Sequence, residues 1–114
     1  MTTHFDWYRV FASLVVAEQQ MSVKSMRAVQ VGARRVCLIR TAAGFFALQD
    51  FCPHNKAYLS KGAINDFGEV ICPWHGYRFR IQDGQKAAAY ACPDAQTFPI
   101  RIDEKGFCIG VPKT

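Results

Sequence analysis

Four side chains suited to holding a metal fall in two short stretches. Cys52 and His54 lie in FCPHNKAYLSKG, residues 51–62, and Cys72 and His75 lie in CPWHGYRFRI, residues 72–81. Thiolates are soft ligands and imidazoles borderline ones, so the two pairs offer four donors to transition metals. Two irons bridged by two sulfides present four terminal positions, which two hairpin-like loops, each giving one thiolate and one imidazole, would fill. Structural zinc is the rival, but its usual order of paired cysteines followed by paired histidines fits alternating Cys-His, Cys-His pairs poorly.

The remaining reactive residues suggest less. Cys37, Cys92 and Cys108 have no close Cys or His partner in sequence and read as unligated thiols. His4 lies near a terminus and receives no role, and Trp74 either shields the site or simply packs. Neither a nucleophile elbow nor a phosphate-binding glycine loop occurs. With 3 histidines in all, two of them in the ligand pairs, little is left for acid–base work. The chain reads as one that moves electrons rather than transforming a substrate.

The elements that must position the four donors read mostly as strands. WYRVFA at 7–12 opens the domain, MRAVQV at 26–31 alternates, GAR turns the chain into RVCLIR at 35–40, and TAAG turns it into FFALQ at 45–49. After the ligand stretch, QDG at 82–84 is a turn, and KAAAYA at 86–91 suits a strand or a short helix. TFPIRI, the turn DEKG and FCIGV then form a closing hairpin. Residues 13–22 show weak periodicity, enough for one helical turn. The expectation is an all-β, antiparallel sandwich or small barrel carrying a loop insertion.

Length and composition agree with that. A chain of 114 residues that is 50% hydrophobic and 20% charged is one globular domain with a real core, able to fold without disulfides. Its 5 cysteines, an odd number widely scattered, do not resemble an extracellular disulfide framework and suggest a reducing cytoplasm. The best candidate for a membrane span, FASLVVA at 11–17, is too short to cross a bilayer and lacks a basic leader, so neither membrane association nor export is expected. The net charge of +5 is spread along the chain rather than clustered, which argues against nucleic acid and for an acidic protein partner. Arg34 and Arg35, the densest basic pair, read as a solvated hairpin tip.

Taken together, Cys52-Pro-His54 and Cys72-Pro-Trp-His75 resemble the Rieske iron–sulfur motif, in which two cysteines hold one iron and two histidines the other. LSKG after the first pair, Gly76 after His75, Phe79, the DG at 83–84, WYRV and FFALQDFCPH extend the resemblance over nearly the whole chain. It implies one [2Fe-2S] cluster, with Cys52 and Cys72 on one iron and His54 and His75 on the other. It also implies a single domain, 1–114, whose cluster-binding loops form a subdomain at about 51–79. Lys56 stands where the family often has glycine, and ACPDAQ matches the family's proline-bearing cover loop loosely. High-potential members carry an extra cysteine in each loop and a Ser and Tyr hydroxyl after the second histidine. Ala57, Trp74, Tyr77 and Phe79 occupy those places, so the chain resembles the low-potential ferredoxins.

The resemblance implies a one-electron carrier between a reductase and a terminal oxygenase of the ring-hydroxylating type, with an acidic docking patch on the partner. The alternatives are the small subunit of a larger reductase, such as assimilatory nitrite reductase, and a zinc-stabilised interaction module. Lys56, Lys61 and Arg78 flank the ligands and would form a basic docking rim, with His54 and His75 as the electron exit.

Overall fold

A computed structural model describes residues 4–54 and 57–113. Its chain runs β1 (Phe5–Phe11), α1 (Leu14–Gln20), β2 (Ser25–Val31), β3 (Arg34–Thr41), β4 (Gly44–Gln49), a 3-10 turn (Leu59–Lys61), β5 (Ala63–Ile64), β6 (Glu69–Ile71), β7 (Arg78–Arg80), β8 (Thr97–Phe98), β9 (Ile100–Asp103) and β10 (Gly106–Pro112). All strand pairs are antiparallel and make three sheets, ordered β1-β10-β9, β2-β3-β4-β8 and β5-β6-β7. The expected all-β architecture is therefore present, as three layers.

The central sheet explains the layering. Strands alternate their side chains between faces, yet Val36 to Ile39 on β3 are all buried. Val36 and Leu38 join one core with Phe107 and Ile109 of the β1-β10-β9 sheet, while Cys37 and Ile39 join a second core with Leu59, Val70 and Phe79. On β4, Ala47 faces the first core and Leu48 the second. A strand buried on both faces must be covered twice. The loop subdomain is the second cover, and Phe79, fully buried within it, contributes about 1.5–3 kcal/mol of apolar burial.

Four local expectations are corrected. Residues 14–20 form a full α-helix rather than one turn. Ser13 Oγ accepts from the Val16 N–H at 3.2 Å, Ala17 is buried, and Arg40 Nη1 donates to the carbonyls of Glu18 at 2.9 Å and Met21 at 2.5 Å. TFPIRI is not one strand: β8 pairs with β4 and β9 with β10, and the break falls at Pro99, which has no N–H to continue a ladder. KAAAYA is neither strand nor helix, holding only an isolated bridge from Lys86 to Phe79. The turn between β2 and β3 is Gly32-Ala33 alone, because Val31 pairs with Arg34.

That last shift puts Arg34 and Arg35 on β3, where both are half-buried. Arg34 Nη1 donates to Gln96 Oε1 at 3.0 Å, and its guanidinium lies 5.8 Å from the Phe98 ring centroid. Arg35 Nε donates to Asp50 Oδ2 at 2.6 Å and its guanidinium sits 3.9 Å from the centre of the Tyr58 ring. Both are structural side chains, not a solvated tip.

Candidate metal centre

Two similar hairpins carry the four donors. The Cys52 N–H donates to the Ala57 carbonyl at 2.8 Å, and the Cys72 N–H donates to the Tyr77 carbonyl at 2.7 Å. Each loop is thus closed by its own cysteine, five residues before the acceptor. Phe51 bridges to Tyr58 just outside the first loop, and Ile71 pairs with Arg78 just outside the second. Strand pairing up to the cysteine buries the sulfur, while the histidine falls beyond it, on the loop.

Burial follows that placement. Cys52 and Cys72 belong to the loop-side core, whereas His54 is half-buried and His75 exposed. The imidazole rings stand 5.7 Å apart between centroids with their planes at 75°. His75 has φ 71° and Gly76 φ 71°, so a non-glycine residue is held in the left-handed region at the turn that points its imidazole outward. Such strain costs of order 1–3 kcal/mol and persists where the surroundings hold it.

The sulfur environment is specific. Burial is the largest influence on the Cys72 thiol and pushes it up to about 11, an N–H from Trp74 opposes this, and the adjacent Cys52 thiol adds to the rise. A metal ion reverses that preference, because a coordinating thiol is deprotonated. The Trp74 N–H is the kind of donor to sulfur that tunes an iron–sulfur centre. Burial also raises the Cys37 thiol strongly, with Asp50 adding to it, so Cys37 is an inert core residue.

Three features were not singled out from sequence. Asp50, fully buried, accepts from the Ser60 N–H at 2.8 Å, from Ser60 Oγ at 3.0 Å and from Arg35, fastening the return of the first loop to β4. A carboxylate at the end of the largely apolar stretch FFALQDF was the available signal. His54 stacks on Tyr77 at 3.9 Å, and Tyr77 on Tyr90 at 4.1 Å, an arrangement with no local sequence signature. Gly62 of LSKG marks a close approach: a Cβ there would lie 1.8 Å from the Ile71 carbonyl oxygen, so the two loops touch backbone to backbone.

The residues present fit a binuclear cluster. Two soft donors lie side by side in the core and two imidazoles lie outside them, a set that could hold two irons with a like pair apiece. Among the described residues no three His, Cys, Asp or Glu side chains converge to hold a single ion. Of the basic rim, Lys61 is exposed, Arg78 is committed to Glu69 at 2.9 Å, and Lys56 lies outside the described residues.

This fold and donor set are those of an iron–sulfur domain. The model of the Rieske [2Fe-2S] domain matches residues 6–99, and the chain belongs to that family, whose domain carries one [2Fe-2S] cluster. It is 34% identical over 88 residues to mouse (Mus musculus) Apoptosis-inducing factor 3, covering 77% of this chain but spanning only 14% of that protein. It is 27% identical over 78 residues to the 3-phenylpropionate/cinnamic acid dioxygenase ferredoxin subunit of Escherichia coli K12, covering 68% of this chain and 74% of that one. In fold it is similar to the ferredoxin of carbazole 1,9a-dioxygenase from Nocardioides aromaticivorans IC177, with a TM-score of 0.77 at 24% identity over 94% of this chain and 98% of that one.

Proposed function

We propose that this chain is a one-electron carrier that takes an electron from a reductase and passes it to a terminal oxygenase of the ring-hydroxylating type, in the cytoplasm. Residues 1–114 form one domain with its cluster loops at about 51–79. Cys52 and Cys72 hold one iron and His54 and His75 the other. The bound cluster supplies reversible one-electron chemistry; the chain supplies its burial and its exit. Supporting this, the cysteines are buried while the histidine ligands lie at the outer edge, so the electron's shortest way out runs through His54 and His75. The exposed Trp74 lies against His75, with ring centroids 5.9 Å apart, and it forms the docking face with Lys61 and Arg78, which flank the donors in sequence. Likeness to a dioxygenase ferredoxin subunit over most of both chains supports the choice of partner. Among the described residues no helix is long and apolar enough to cross a membrane.

A second reading, permanent attachment to a larger reductase, is favoured by the mouse relative, in which the matched segment is a small part of a longer protein. Anaerobic purification followed by metal and sulfide analysis tests the shared core of both. Two irons and two acid-labile sulfides per chain are expected, lost on His54→Ala or His75→Ala. Colourless protein with stoichiometric zinc would overturn it. Reduction of a purified oxygenase by the free chain supports the carrier, and co-purification with a large reductase supports the subunit.

A further inference from the structure

A third loop lies against the two ligand loops. Its ends are closed by backbone bonds, Ala87 N–H to the Arg78 carbonyl at 2.9 Å and Ala95 N–H to the Gly84 carbonyl at 2.8 Å. Between them the chain makes no ladder, and Ala87, Ala88 and Ala89 bring little side chain to pack. The loop instead closes around a charge from its own first turn. Lys86 Nζ donates to the Tyr90 carbonyl at 3.1 Å and to the Cys92 carbonyl at 2.6 Å. The base of that side chain is fixed by the bridge to Phe79 and by the Lys86 N–H donating to Asp94 Oδ1 at 3.0 Å.

The two carbonyls belong to the residues by which the loop touches the site. Tyr90 stacks on Tyr77, which stacks on His54, and Cys92 packs on the core that contains Cys52 and Cys72. A lysine on a loop is ordinarily solvated; this one is half-buried and spends two donors on backbone.

Building on the cluster reading above, we propose that Lys86 is a positioning residue whose ammonium clamps residues 86–94 over the cluster, holding Tyr90 against Tyr77, which in turn stacks on His54, and keeping Cys92 half-covered. Without it the carbonyls of Tyr90 and Cys92 turn to water and the loop opens while both main cores stay packed.

The test uses the holoprotein. Alkylation of Cys92, Cys37 and Cys108 by iodoacetamide is followed by mass spectrometry, alongside bleaching of the visible absorbance by an iron chelator. Lys86→Met is expected to alkylate Cys92 about tenfold faster, the scale of one lost charge-assisted bond, and to bleach faster, with Cys37 and Cys108 as protected as before. Lys86→Arg, which keeps a charged donor, restores both rates, and Lys105→Met on the β9–β10 turn changes neither. An unchanged Cys92 rate, or equal acceleration at all three thiols, would overturn the clamp. Wild-type protein without iron and sulfide would overturn the cluster reading instead, and the Cys92 rates would still decide the clamp.

Discussion

At the scale of single residues, the proposed ligands depend on side chains outside the donor set. Asp50 holds the return of the first loop through three bonds in a fully buried position, so removing it leaves the Ser60 N–H and the Arg35 guanidinium without their acceptor. Asp50→Ala is expected to cost about 2 kcal/mol and to lower cluster yield. Arg35→Met is expected to cost at least as much, because it leaves the fully buried Asp50 carboxylate without its counter-charge and held by Ser60 alone. Urea midpoints of the two variants check the order. The cluster potential also belongs to this scale. With Ala57 and Trp74 where high-potential members carry cysteines, and Tyr77 and Phe79 where they carry Ser and Tyr hydroxyls, fewer hydrogen bonds to sulfur are expected and the reduced state should be less stabilised. Voltammetry at neutral pH should give a midpoint near about −150 mV rather than about +300 mV.

At the scale of elements, the two ligand hairpins act as one unit because they meet at Gly62 and Ile71. A methyl group on Gly62 would stand 1.8 Å from backbone, which cannot swing aside as a side chain does. Gly62→Ala must therefore move the 3-10 turn away from β6 and pull the loops apart. Gly76 differs: a Cβ there meets nothing within 4 Å, but its φ of 71° disfavours any other residue. Gly76→Ala should cost only about 1–2 kcal/mol and keep its cluster, while Gly62→Ala loses most of it. Iron content per chain and thermal melting separate the two cases.

For the whole molecule, charge governs encounter. Two ferric ions, two sulfides and two thiolates sum to zero, so the formal +5 of the chain survives cluster binding. Much of the basic surface is neutralised locally, as at Arg78–Glu69, Arg80–Asp83 and Arg101–Asp103, which leaves Lys61 as an exposed positive group that flanks the donors in sequence. Association with an acidic partner should slow as salt shortens the Debye length to ~10 Å at 0.1 M. Lys61→Glu should slow it more than Lys105→Glu, since Lys105 sits on the turn of a sheet that makes no ladder with the loop sheet. Stopped-flow reduction of the partner over a salt series measures both; equal effects would remove the loop face from docking.

The donors and most strands were legible in the sequence because both are local. Cys52, His54, Cys72 and His75 carry their chemistry in residue type and spacing, and the β2-β3-β4 meander is written in apolar runs broken at Gly32 and Gly44. What tertiary structure decided are contacts between distant segments. The α1 helix shows weak periodicity because Arg40, on another strand, holds its end, and Arg35 reads as a turn residue until Asp50 comes beside it. TFPIRI suits one strand by propensity, but Pro99 forbids the ladder and hands the chain to a second sheet. KAAAYA has small residues that suit either regular structure, and only the backbone carbonyls gathered around Lys86 make it a loop. Pairings across such separations cannot be read from a window of sequence, because the partner that satisfies a buried charge or an open carbonyl arrives only when the chain has folded.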